Sequence, residues 1–164
     1  MTLRSNHAKV SECDLVTIRC SDFRHTNGIF TLNRAVKERF GLDAAPDSLA
    51  KPGGPFALVH GDEHHRRSLL EDLDFLIKSH RFENVLLVPH TGCSRYRQFM
   101  KFDSAASERK QLIQDIATAA ELIRGRHPDM RVIGCIAEMS PTTLLRLEDV
   151  FDSRRTAAAR SKST

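Results

Sequence analysis

Short apolar, β-branched runs alternate along this chain with stretches in which apolar residues recur every three or four positions. DLVTIRC, 14–20, reads as a strand from its β-rich, apolar content. Leu32, Val36 and Phe40 then recur at four-residue spacing and Gly41 follows as a stop signal, which predicts a helix over about 29–40. DAAPDSLAKPGGP, 43–55, reads as a Pro/Gly-rich loop, and FALVHG, 56–61, as the second strand.

Leu69, Leu70, Leu73, Leu76 and Ile77 mark a helix near 64–79, with Ser68 and Glu71 at capping-box spacing, although the helix can begin before that pair. NVLLVPH, 84–90, is a continuous apolar run of the kind buried on both faces of a parallel sheet. Asp103 or Ser104 can cap a long helix to about 124 carrying Leu112, Ile113, Ile116, Ala120 and Ile123, with Gly125 as its stop. MRVIGCIAEM, 130–139, is the fourth strand, and Ser140-Pro141 reads as a cap and first-turn proline opening a last helix through Leu144, Leu145 and Leu147.

That βαβαβαβα order predicts an α/β fold, a mostly parallel four-stranded sheet with helices on both faces. Ligands in such sheets sit beyond the carboxyl ends of the strands. The 164 residues fit one domain, read here as 1–153 with a basic tail over 154–164. The net charge of +4 invites a nucleic-acid reading, but Arg154, Arg155, Arg160 and Lys162 supply all of it, leaving 21 basic and 21 acidic residues over 1–153. With no Trp and one Tyr, base-stacking platforms are not expected either. No apolar run reaches the length of a membrane span and the polar start lacks a signal-peptide core. The expectation is a cytoplasmic protein with reduced cysteines.

Two strand ends carry unusual chemistry: Cys20-Ser21-Asp22-Phe23-Arg24 after the first and His90-Thr91-Gly92-Cys93 after the third. If those strands are neighbours, Cys20, His90 and Cys93 converge as a Cys₂His set suited to zinc with one open position. Gly92 lets the chain turn tightly enough for His90 and Cys93 to reach one ion. Asp22 can then close the site as a fourth ligand, or be held off it by a bidentate pair with Arg24. Cys13 and Cys135 have no matching partner and read as ordinary small residues. His60, Glu63, His64 and His65 form a polar cluster best read as a solvated first helical turn. His25 is a better candidate for a proton shuttle than that cluster, with packing still its favoured reading. Tyr96, Arg95 and Arg97 can line the mouth of the site or meet a partner copy. G-x-x-x-x-G-K-[ST], G-x-G-x-x-G and G-x-S-x-G are all absent.

C-S-D-x-R followed by H-x-x-C after a buried strand resembles the β-class carbonic anhydrases, over about 14–150. The resemblance implies a sheet order of 2-1-3-4, a homodimer or dimer of dimers, and zinc held by Cys20, His90 and Cys93. It implies that Asp22 and Arg24 form a dyad controlling the fourth position. The activity implied is that of a carbonate dehydratase-like zinc lyase, in which zinc-bound hydroxide attacks CO₂ to give bicarbonate. The family usually carries Arg-Asn-Ala-Gly after its second strand, where this reading puts Val59-His60-Gly61-Asp62, and Gly after the second motif, where Ser94 stands. Alternatives are a zinc hydrolase of carbonyl sulfide or carbon disulfide, or a non-catalytic zinc-binding protein on the same scaffold.

Overall fold

A computed structural model describes residues 15–41 and 46–154. In chain order the elements are β1 Leu15–Cys20, α1 Phe23–Asn27, α2 Ile29–Phe40, β2 Asp47–Lys51, α3 Phe56–Val59, α4 Glu63–His80, β3 Asn84–Val88, α5 Ser94–Phe99, α6 Ala105–Arg126, β4 Arg131–Met139 and β5 Leu144–Asp152. They form one five-stranded sheet of order β2-β1-β3-β4-β5. β1 pairs in parallel with both β2 and β3, and β3 in parallel with β4, so the expected order 2-1-3-4 holds, with β5 added antiparallel to β4.

Period-two alternation divides the core between the two faces of this sheet. Val16, Ile18, Val85 and Leu87 pack with Leu69 and Leu73 of α4 and Leu112, Ile116 and Ile123 of α6. Leu15, Leu86, Val88 and Ile133 point the other way, against Leu32 and Val36 of α2 and Leu144 and Leu147 of β5. Each such side chain, fully buried, contributes about 1.5–3 kcal/mol.

Two elements differ from the sequence reading. FALV is not the second strand but the short helix α3, and the second strand is DSLAK, inside the segment read as loop. β2 is an edge strand whose residues alternate between half-buried and exposed, so it never needed the apolar run that marks an interior strand. The stretch following the second strand is therefore Pro52-Gly53-Gly54-Pro55, not Val59 to Asp62.

Ser140-Pro141 does not open a helix. Ser140 Oγ accepts the N–H groups of Thr142 (3.2 Å) and Thr143 (3.0 Å), and its own N–H donates to Thr143 O at 2.9 Å. The cap-like serine thus closes a tight turn that sends the chain back as β5. Smaller shifts follow the same logic of local hydrogen bonding. α4 is capped by Asp62, which accepts from His65 N, leaving Ser68 and Glu71 inside the helix, and α6 is capped by Ser104 but runs past Gly125 to Arg126. The reading of Cys13 and most of the 154–164 tail falls outside the described residues.

Candidate metal centre

The C-terminal ends of β1 and β3 carry the site. Cys20 is the last residue of β1, and the strand pairing places Arg19 beside Val88 of β3. Beyond Val88 the chain stays tied to β4, because Ala137 N–H donates to Pro89 O at 2.9 Å and His90 bridges to Ala137. Gly92, at φ 68°, then turns the backbone so that Cys93 faces back to Cys20.

The outcome is a buried cluster in which one ligand atom each from Cys20, His90 and Cys93 lies within 4.8 Å of the others, a group that could hold a metal ion. All three residues are at most 5% exposed. The two sulfurs are 3.8 Å apart. Two Zn–S bonds of about 2.3 Å opening at a tetrahedral angle span about 3.8 Å, so the thiols already stand at the separation such an ion requires.

The imidazole is equally suited. His90 Nδ1–H donates to Thr91 O at 2.9 Å, which leaves Nε2 with its lone pair free in the neutral ring. Nε2 is buried without a hydrogen-bond partner. A buried polar atom left unpaired is costly, and a metal ion satisfies it directly. The thiol pair also favours giving up a proton. The Cys93 contact and the Gly53 N–H, 3.2 Å from Cys20 Sγ, draw Cys20 well below the usual thiol range, while the same contact pushes Cys93 up.

Asp22 stands at the rim. Its Oδ1 accepts from Arg24 Nε at 2.9 Å and its Oδ2 from Arg24 Nη2 at 2.6 Å. Oδ1 also caps α1 by accepting Arg24 N–H at 3.0 Å. The guanidinium holds this carboxyl well below the usual carboxylate range. Oδ2 sits 3.8 Å from His90 Nε2, near the cluster but facing Arg24.

Sequence reasoning missed Gly53. Its N–H reaches Cys20 Sγ because the loop after β2 runs hard against β1: a Cβ on Gly54 would lie 3.0 Å from Cys20 N, and both glycines have positive φ. The Pro-Gly-Gly-Pro signal was visible, but without β2 assigned it had no place beside Cys20.

His25 is fully buried, its ring edge-on to His90 with centroids 5.5 Å apart and neither nitrogen hydrogen-bonded. Burial, then His90, lowers its pKa to about 4. Glu63, His64 and His65 face solvent as expected. His60 does not belong with them: its Nε2 donates to the buried Asp115 carboxylate at 2.9 and 3.0 Å. Tyr96 is wholly buried, T-shaped against Phe56, so it lines no mouth, and Arg95 lies over the Phe56 and Phe99 rings at 5.3 and 4.4 Å.

A mostly parallel sheet of this order with Cys, His and Cys meeting at two strand ends defines an α/β protein with a candidate metal centre. Residues 10–141 match the family described as "Putative carbonic anhydrase", and the chain belongs to that family. No curated protein matches it. Among solved structures, it resembles the Coccomyxa β-carbonic anhydrase in complex with acetazolamide, at 11% identity and TM-score 0.50, covering 98% of this chain and 88% of that one. It also resembles β-carbonic anhydrase isoform I of Trichomonas vaginalis, at 10% identity and TM-score 0.50, covering 87% and 86%. A carbon disulfide hydrolase in its apo form aligns more loosely, at 13% identity and TM-score 0.47 over 82% of this chain and 78% of that one. At these identities the likenesses establish the fold.

Proposed function

We propose that this chain is a zinc-dependent lyase that hydrates CO₂ to bicarbonate. The observation that carries the reading is the convergence of Cys20, His90 and Cys93 at zinc-ligand spacing, beside a carboxylate restrained by Arg24. Bound there, zinc would bring the acidity of a water molecule to near neutrality and so supply a nucleophile for the CO₂ carbon.

The chain's own residues do the rest. Cys20 and Cys93 supply two thiolate ligands, and His90 offers Nε2 because Thr91 O fixes its tautomer. Asp22, with both oxygens turned to Arg24, would stay out of the ligand set, so that Cys20, His90 and Cys93 alone would hold the ion. With its Oδ2 3.8 Å from His90 Nε2, Asp22 would be the acceptor for a water's proton at the rim of the site. The open arrangement is thus favoured over a site closed by Asp22, and Asp22 and Arg24 take the catalytic roles.

The reading includes a cytoplasmic homodimer, or dimer of dimers. Phe23 of α1, Phe30 of α2 and Leu145 of β5 are exposed apolar side chains on neighbouring elements, which a second copy would bury. No helix among the described residues is long and apolar enough to cross a membrane.

The stretch after β2 supports keeping a related small electrophile, carbonyl sulfide or carbon disulfide, as the second reading. Pro52-Gly53-Gly54-Pro55 follows β2, where the family usually carries Arg-Asn-Ala-Gly, and Gly53 N–H of this stretch reaches Cys20 Sγ. Stopped-flow CO₂ hydration by zinc-loaded protein tests the first reading. Turnover far above the buffer rate between pH 7 and 9 is expected. Background rates with CO₂ but turnover of either sulfur compound would transfer the assignment to the second reading.

A further inference from the structure

Glu108 is a carboxylate where carboxylates are seldom found. It lies in the first turn of α6, is 5% exposed, and among the described residues it has no basic side chain within ion-pair distance. Burying such a group is unfavourable unless a specific hydrogen bond holds it. That bond is to the ligand loop: Gly92 N–H donates to Glu108 Oε1 at 2.8 Å. Gly92 is the residue whose positive φ makes the turn between His90 and Cys93.

We propose that Glu108 is a positioning residue for the metal loop, its carboxylate fixing the Gly92 turn so that His90 and Cys93 aim at one ion. The inference rests on the metal reading above and adds a residue distant from both motifs. The loop is held at three points. Thr91 O sets the His90 ring, the Pro89–Ala137 bond ties the approach to β4, and Glu108 anchors the turn itself to a 22-residue helix. Gly92 N–H and Thr91 O are the two ends of one planar peptide, so the Glu108 bond fixes the peptide whose carbonyl sets the His90 ring and from which the Gly92 turn carries the chain to Cys93. Helix α6 is packed into the core through Leu112, Ile116 and Ile123, so its first turn is a rigid anchor. Glu108 also lines a cavity of about 410 Å³ with Arg97, Phe102 and Ser104, so solvent competes for the Gly92 amide once the carboxylate is withdrawn.

The geometry separates reach from charge. Glu108→Gln keeps an acceptor oxygen at the same distance and loses the charge, whereas Glu108→Asp keeps the charge and falls one methylene short of the amide. Zinc affinity by competition with a chromophoric chelator, and the cobalt(II) ligand-field spectrum, are read on both variants and on Glu108→Met. Asp and Met are expected to weaken zinc by about 10- to 100-fold and to alter the cobalt spectrum, as loss of an outer partner does. Gln is expected to stay within about threefold of the parent, by the same comparison.

Thermal unfolding of the metal-free proteins serves as the control for fold. If Met at 108 does not fold, the Asp and Gln pair decides. Asp and Met binding zinc as the parent does, or Gln failing as badly as Asp, would overturn the positioning role. Failure of the parent chain itself to take up zinc or cobalt would instead overturn the metal reading.

Discussion

Asp22 and Arg24 face each other edge to edge, two residues apart, through bonds of 2.9 and 2.6 Å that occupy both carboxylate oxygens. Asp22 Oδ2 lies 3.8 Å from His90 Nε2, and in the proposed reading its pairing with Arg24 would keep it from ligating a metal held there. Both side chains are 20% exposed, so the pair contributes little to fold stability, and its proposed role is positional.

Arg24→Ala is accordingly expected to retain zinc while losing turnover by about 10- to 100-fold, because the freed Asp22 can swing onto the metal. Metal content by elemental analysis and stopped-flow rates on the same sample check this. Zinc loss equal to that of a ligand variant would contradict the dyad account.

Cys93→Ala removes a ligand outright. Zinc affinity should fall by more than about 100-fold, beyond the loss typical of an outer partner. Equilibrium dialysis against zinc buffers reads it, and affinity within tenfold of the parent would remove Cys93 from the ligand set.

Gly134→Ala tests the sheet beneath the site. A Cβ there would lie 2.2 Å from Cγ2 of buried Ile116 on α6 and 3.1 Å from Phe151 Cβ, with no flexible side-chain end to give way. A loss of about 2 kcal/mol is expected from overpacking. In a chain of this size that lowers Tm by about 4–8 °C. An unchanged Tm would refute the close approach of α6 to β4.

Asp74 carries the acid-side prediction. Hydrogen bonds from Arg126, then His127, hold its pKa below the usual carboxylate value. The unfolded carboxyl titrates near 4, so the contribution is complete above about pH 5 and is lost as pH falls through 4 toward the folded value. Arg126 is half exposed, which limits the effect to about 1 kcal/mol. Urea unfolding of Asp74→Asn should show that deficit at pH 7 and a narrower gap at pH 3. A gap that widens in acid would reverse the sign of the argument.

The metal cluster was legible because its chemistry is local. His90 and Cys93 are three residues apart around a glycine, and Cys20 ends an apolar strand, so neighbouring β1 and β3 sufficed to bring them together. The Asp22–Arg24 ion pair, two residues apart, was legible for the same reason. The edges of the sheet were not. β2 is polar because it is an edge strand, and β5 follows a serine whose hydroxyl closes a turn as readily as it caps a helix.

What sequence could not offer were the contacts that helix and loop docking makes with the two strand ends and with α3. Glu108 reaches Gly92 from sixteen residues away, His60 meets Asp115 from fifty-five, and Gly53 meets Cys20 from thirty-three. No periodicity encodes such contacts, because they depend on how α6 and the loop after β2 dock against strand ends. Two of the three lie against Cys20 or the turn between His90 and Cys93, which is why the cluster itself was readable and the contacts that support it were not.

Zinc K-edge X-ray absorption on the purified, zinc-loaded chain tests the central claim most directly. The account predicts two sulfurs at about 2.3 Å, one imidazole nitrogen at about 2.0–2.1 Å and one further light atom. Zinc bound without sulfur, or a chain that takes up no zinc at all, would contradict it.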